Sequence, residues 1–301
     1  MTALRWIGVD WGTSRVRAWA MAGDGAVVAS TASEAGMGRL DHAGFEPALL
    51  DLVAPWLGSG PVDVIACGMV GARHGWHEVG YVPVPVAPAA LRPEPVPATD
   101  RRVRVAILPG LSQAKPPDVM RGEETQIAGF LTEHPDFDGV LCLPGTHSKW
   151  VRISAGEVVS FQTAMTGEMF ELLANRSVLR HSVATAGTEP EAFDDAVHDA
   201  LSQPERLAQR LFSIRSEAVL NDLSPEAARA RLSGLLIGAE LAAMRGYWLG
   251  HAIAIAGTRD LSAAYARALG AQGVTAGLHD AERLARAGLA AAYAQHMAET
   301  P

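Results

Sequence analysis

The sequence predicts an α/β protein made of two related domains. Three observations carry that expectation. Short apolar segments that end in glycine-rich turns alternate with stretches at helical spacing. One layout occurs twice, within residues 5–31 and again within 139–161: an apolar strand, a turn with Gly-Thr and Ser, an alternating strand, a second turn and a third strand. The chain is also long enough, at 301 residues with 49% apolar and 19% charged, to fill one large core or two modest ones.

The elements follow in order. Residues 5–10, 15–21 and 26–31 read as strands, with "AGDG" at 22–25 as a hairpin turn. Leu49, Leu50, Val53 and Leu57 give 45–57 a helical stripe. Residues 62–67 form a short buried-type strand that opens into "GMVGARHGW". Six prolines between 83 and 97 remove donors and fix φ, so this stretch is an extended loop or a sheet edge. A strand resumes at 103–108, and 120–131 reads as a turn leading into a helix. After the second hairpin the chain turns helical. Ser224 is a candidate N-cap with Pro225 at the first helical position. A strand at 251–258 ends on Gly257 and Thr258, and helices follow at 261–272 and 279–296. The domains are expected at 1–133 and 134–301, with the last helix as a candidate to pack back on the first domain.

Composition excludes several classes. The net charge is −8, from 25 basic and 33 acidic residues, and no block of Lys or Arg stands out. That argues against nucleic acid. The two cysteines, Cys67 and Cys142, lie in apolar runs and read as buried thiols. The N-terminus lacks the apolar stretch of a signal peptide, and no apolar run reaches membrane-spanning length. The longest candidate, 235–249, is interrupted by Glu240 and Arg245. A soluble, cytoplasmic protein with no membrane partner is expected.

Neither common nucleotide cradle, the P-loop nor G-x-G-x-x-G, is present. Other residues can do the same chemistry. Asp10 closes a strand just before Gly12, Thr13 and Ser14, where turn N–H groups can hold phosphate oxygens and a carboxylate can hold Mg²⁺. The second copy offers Gly145, Thr146, Ser148 and Lys149. Each is equally readable as a polar turn; as a pair from duplicated halves they favour a phosphate grip. Glu123 and Glu124 start a helix, where acids complement the dipole or supply a general base. Gly71 and Trp76 lie in a glycine-rich loop that is either substrate-facing or plain surface, and its His74, His77 and Glu78 match no strong metal spacing. Thr166 and Glu168 read as a helix cap and first turn.

Taken in order, "IGVDWGTSRVRAW", "SEAGMGRL", "GMVGARHGW", "LPGL", "VMRGEETQIAG", "LPGTHSKWV", "TAMTGE", "LSGLLIGAELAAM" and "AGT" resemble the 2-dehydro-3-deoxygalactonokinase family of sugar-acid kinases. The resemblance runs from Ile7 to about Thr258. It implies two RNase H-like domains of the actin and hexokinase type, mixed sheets flanked by helices, and an active site in the cleft between them. It implies ATP and Mg²⁺, and phosphorylation of 2-dehydro-3-deoxy-D-galactonate on its 6-hydroxyl in galactonate breakdown. Carried over by motif, Asp10 would hold the metal, largely through water. Gly12, Thr13 and Ser14 would form a first phosphate loop, and Gly145, Thr146 and Ser148, with Lys149 nearby, a second. Gly257 and Thr258 would lie against adenosine. Related kinases carry their base in Gly-Asp-Gln; here Gly122 is followed by Glu123 and Glu124, and Glu123 is the chosen base. Arg39 and Arg121 are candidates for the substrate carboxylate, with Gly71 and Trp76 as further contacts. The expected partners are the sugar acid and ATP, and a homodimer is compatible with the sequence. The alternatives are a kinase for another sugar acid, such as 2-dehydro-3-deoxygluconate, and a non-catalytic actin-like ATP switch.

Overall fold

The structure, a computed structural model, describes residues 4–299. It divides into two compact units. The first holds the chain up to Asp138, the segment Ile153–Ser160 and everything from Ala281 on; the second holds Gly139–Arg152 and Phe161–Asp280. The first unit therefore runs past residue 133 and takes in two later segments. Val158, at the tip of a later hairpin, forms an isolated bridge with Val86, and the last helix packs on elements of the first unit.

In the first unit the chain lays down β1 (Trp6–Trp11), β2 (Val16–Met21) and β3 (Val27–Ser33) as an antiparallel meander. Then come α1 (Phe45–Val53), β4 (Val62–Gly68), the short β5 (Tyr81–Pro83) and β6 (Glu94–Val96), β7 (Val103–Ile107), β8 (Gly110–Ala114), β9 (Pro117–Met120) and α2 (Glu123–Glu133). The main sheet has the order β3-β2-β1-β4-β7-β6, with β1, β4 and β7 parallel. Five of the six β1 residues are buried, as expected of a strand covered on both faces. Ile7, Val9, Phe45, Leu49, Val53, Val64 and Val105 fill one side. The proline-rich stretch gives an edge strand, β6, whose Pro95 sits where a missing N–H does least harm. The register sets Asp10 directly opposite Arg17, and Asp10 beside Cys67 of β4.

The second unit carries β10 (Gly139–Leu143), β11 (Ser148–Ser154) and β12 (Glu157–Ala164), apart from the 153–160 tip of these last two, and α3 (Thr166–Arg176), α4 (Pro190–Ser202), α5 (Leu207–Leu220), α6 (Pro225–Ala243), α7 (Arg245–Trp248), β13 (Ile253–Gly257), α8 (Arg259–Gly270) and β14 (Ala276–Asp280). Its sheet runs β12-β11-β10-β13-β14, with β10, β13 and β14 parallel. The first unit has the same arrangement of three successive strands followed by two parallel ones beside the first, with β6 added as a sixth, antiparallel edge strand, so the match extends beyond the hairpins to five strands of each sheet. Ser224 caps α6 by accepting the Ala227 N–H at 3.1 Å, with Pro225 behind it. Cys142, Trp150, Ile237, Leu241, Ile255 and Tyr265 form this unit's core. The last helix, α9 (Ala281–Glu299), returns to the first unit and lies on α2, β1 and β4. Among the described residues no helix is long and apolar enough to cross a membrane.

Candidate active site

In the first unit the end of β1 carries Asp10, whose Oδ2 accepts from Arg17 Nη2 at 2.6 Å. Arg17 also reaches Glu282 of α9 at 3.4 Å, so a helix from the end of the chain steadies the arginine that aims Asp10. Cys67 Sγ lies 3.9 Å from Asp10 Oδ1, and burial, then the Asp10 and Glu124 charges, hold its thiol pKa well above the ordinary value.

The turn after β1 exposes Thr13 and Ser14. Its carbonyls are engaged from behind: Met37 N–H donates to Gly12 O at 3.0 Å and Gly38 N–H to Thr13 O at 2.8 Å. Gly36 lies so close to the Ser14–Arg15 backbone that a Cβ has no room. Gly12 N–H is itself taken up by Arg15 O at 2.8 Å, so what the turn can offer a ligand is the exposed Thr13–Ser14 side, with its hydroxyls, the chemistry an anion needs. Arg39, from the same supporting segment, is 63% exposed and only loosely paired with Glu34, at 3.8 Å.

The start of α2 meets the ends of β1 and β4. Gly122 takes φ +107, a conformation that favours glycine, and its α-carbon packs against Gly68, the residue that pairs with Trp11. This reversal lets each acid of α2 accept an N–H from the chain just before it. Arg121 N–H donates to Glu123 Oε2 at 3.1 Å, and Gly122 N–H to Glu124 Oε2 at 2.6 Å. The two carboxyls then differ sharply. Glu124 is fully buried, and burial first, then the neighbouring Glu123 charge, push its pKa up to about 8. Glu123 remains partly exposed.

Arg121 is buried under Tyr81, whose ring centroid lies 4.3 Å from the guanidinium carbon. Its Nη2 donates to Val79 O at 2.6 Å, while Nε and Nη1 have no hydrogen-bond partner among the described residues. Gly71 sits against that Nη1: a Cβ there would come within 2.9 Å of it. The structure thus gathers Gly71, Arg121 and Glu123. Trp76, expected at the substrate, is 6% exposed and part of the hydrophobic core instead, because the loop turns its ring inward. His74 and Glu78 are exposed, and among the described residues no cluster of three or more His, Cys, Asp or Glu could hold a metal.

The second unit repeats the turn with different support. Thr146 is exposed, and its carbonyl accepts from Glu168 N–H at 2.9 Å, the counterpart of the Met37 and Gly38 bonds. Gly167 presses on Gly145 with no space for a side chain. Glu168 also meets His147 Nε2 at 2.6 Å. Ser148 and Lys149 do not reach the surface. Ser148 Oγ lies 2.8 Å from Tyr265 OH, fully buried, and Lys149 is 4% exposed with Nζ 3.4 Å from His147 O. Thr166 does not cap α3; its hydroxyl donates to Glu240. Gly257 ends β13 in the interior, and Thr258 stands exposed at the start of α8.

Beside this turn lies a cavity of about 460 Å³, within the range of small-molecule pockets. Gly145, Thr146, Thr166 and Thr258 line its polar side; Leu236 and Leu261 line its apolar side. Two helices, α3 and α8, begin at this cavity, whose charged lining is Glu171, Arg229 and Asp260. Sequence reasoning missed Glu240. The available signal was an acid in the middle of an apolar helical run.

A strand order shared by both units, with a Gly-Thr turn after the first strand of each, defines the class as an α/β protein of two related units. Within that class the chain belongs to the 2-keto-3-deoxy-galactonokinase family, whose sequence model matches residues 10–292. It is 41% identical over 299 residues, 97% of each chain, to the Rhizobium meliloti (strain 1021) protein named "Probable 2-dehydro-3-deoxygalactonokinase DgoK1". It is 36% identical over 276 residues, 91% of each chain, to the Escherichia coli (strain K12) 2-dehydro-3-deoxygalactonokinase. A crystal structure of a Sinorhizobium meliloti protein with the same kinase designation superposes with a TM-score of 0.89 at 39% identity, over 96% of this chain and 98% of that one.

Proposed function

We propose that the protein transfers the γ-phosphoryl group of ATP to the terminal hydroxyl of 2-dehydro-3-deoxygalactonate, giving the 6-phosphate, in the cytoplasm. The observation that carries the acid half of this reading is Arg121. A guanidinium buried with two unpartnered nitrogens is costly unless an anion completes it. It lies two residues before Glu123, whose carboxyl accepts the Arg121 N–H, so the group that would hold a substrate carboxylate and the group that would take a proton share one scaffold.

The roles then divide. Arg121, with Gly71 clearing space beside it, binds the carboxylate. Glu123 accepts the proton of the attacking hydroxyl as the new oxygen–phosphorus bond forms and ADP leaves. Glu124 is unsuited to that step, since a buried carboxyl with pKa about 8 already holds its proton at neutral pH. The two turns present N–H and hydroxyl donors to phosphate oxygens, and the cavity of the second unit takes the nucleoside. The donor set near Asp10 fits Mg²⁺ only in one form. A single carboxylate, with one oxygen shared by Arg17, still has lone pairs left, which suits an ion carried in on phosphates and not a resident protein cage. Bound there, Mg²⁺ would neutralise charge on the phosphate chain.

A coupled assay of ADP release tests the reading across 2-dehydro-3-deoxygalactonate, 2-dehydro-3-deoxygluconate, galactonate and a neutral sugar. We expect the first to lead in kcat/KM by about tenfold or more, the factor that ~1.4 kcal/mol of differential binding gives. Equal turnover of the neutral sugar would overturn the acid-binding role of Arg121.

A further inference from the structure

Glu240 is a buried carboxyl for which the reaction above has no use. It sits in α6, in "LLIGAELAAM", and is 4% exposed. Its Oε1 accepts from Trp150 Nε1 at 2.7 Å; its Oε2 accepts from Tyr265 OH at 2.7 Å and from the Thr166 hydroxyl. The donors come from β11, α8 and the first residue of α3. All three are neutral. Burial raises the pKa of the carboxyl while these hydrogen bonds pull it back.

We propose that Glu240 is the positioning residue of the nucleotide cavity, setting the second turn and the start of α3 in the one arrangement that grips phosphate. The inference rests on the reading that this cavity takes the nucleotide. A carboxylate buried among neutral donors gives less stability than an apolar side chain of its size, so its contribution must lie in direction. Tyr265 donates to Glu240, and the buried Ser148 hydroxyl, 2.8 Å from Tyr265 OH, also hydrogen-bonds within this group around Glu240. Ser148, expected as a phosphate contact, thereby becomes an anchor of the turn. Thr166 is drawn to the same carboxylate, which fixes the first turn of α3. From there the path is backbone: Gly167 lies on Gly145, and Glu168 N–H holds the Thr146 carbonyl. Both of Glu240's hydroxyl partners, Thr166 and Tyr265, also line the cavity.

The test compares Glu240→Gln with the unaltered protein, using ADP as the calorimetric probe and steady-state KM values for ATP and sugar acid. The amide presents N–H where Thr166 and Tyr265 need an acceptor. We expect ADP affinity to fall and the ATP KM to rise about tenfold, the scale of one lost charge-assisted hydrogen bond, with the sugar-acid KM within about twofold. Thr166→Val and Thr166→Ser read the same link from its other end should the first variant fail to fold. Val should reproduce the ATP-selective loss, and Ser, which keeps the hydroxyl, should bind ADP more tightly than Val does. Unchanged ADP affinity in both Glu240→Gln and Thr166→Val, or equal rises in both KM values, would overturn the inference. Failure of the unaltered protein to bind ADP would instead overturn the nucleotide reading, and this inference with it.

Discussion

Replacing Glu124 with glutamine should change the pH dependence of stability in a calculable way. In the folded protein the Glu124 carboxyl keeps its proton up to about pH 8, against an ordinary value of 4.5. Burial is the main cause and the Glu123 charge the second. Between those two values the unfolded chain has released a proton that the folded chain retains. The stabilisation is therefore fully present below about pH 4.5, declines by ~1.4 kcal/mol per unit as pH rises, and is gone above the folded value. Across the whole interval the loss approaches roughly 5 kcal/mol. The amide resembles the protonated acid, its carbonyl can accept the Gly122 N–H, and it cannot ionise. Urea unfolding at pH 5, 6, 7 and 8 should give similar stabilities for the two proteins at pH 5. The Glu124→Gln curve should then rise above the other by ~1 kcal/mol or more per unit toward pH 8. Parallel curves would show that Glu124 is ionised in the folded state and would remove the argument for assigning the base to Glu123.

Three further outcomes are expected. Glu123→Gln should lower kcat by about 10²–10⁴-fold, the usual worth of a general base, while calorimetric ADP affinity stays within about twofold; turnover within tenfold of normal would rule Glu123 out. Asp10→Asn should raise the Mg²⁺ concentration needed for half-maximal rate by about tenfold, because the metal loses a charged ligand; an unaltered Mg²⁺ titration would contradict the metal role. Arg121→Ala should raise the sugar-acid KM by about a hundredfold, the scale of a lost buried ion contact, with little effect on the ATP KM; the reverse pattern would reassign Arg121.

Where local chemistry alone decides an element, the sequence was enough. The two meanders, the Ser224–Pro225 helix start and the proline-bearing edge strand all carry their cause in adjacent residues. The hairpin β8–β9 escaped because "GLSQAKPPDVM" has little alternation and two consecutive prolines; its pairing is fixed by tertiary contact. The candidate site was readable at its turns and paired acids for the same local reason, and their roles remain the proposal made above. Side chains whose direction depends on packing were not. Trp76 turns into the core, Ser148 turns to Tyr265, and Thr166 turns from capping to Glu240. The difference between Glu123 and Glu124 is also tertiary. Of these adjacent residues of one type, only Glu124 is fully buried, and burial raises its pKa.

The duplication explains why the two turns can diverge. In both units the carbonyls of the turn are held by backbone N–H groups from the segment after the third strand: Met37 and Gly38 in one, Glu168 in the other. That support tolerates almost any side chain, provided a glycine, Gly36 or Gly167, sits at the closest approach. Side chains behind each turn are thus free to specialise. Behind the first, Asp10 faces Arg17 across two strands, a charged pair near solvent that can share an oxygen with an arriving cation. Behind the second, Ser148, Tyr265 and Glu240 form a chain of buried hydroxyls ending on a carboxylate, with no part accessible to metal. One scaffold thus yields a turn whose backing group is built to exchange charge with a ligand and a turn whose backing group is built only to hold still. That asymmetry is the reason for proposing the Asp10 side for the metal and the second turn for positioning phosphate.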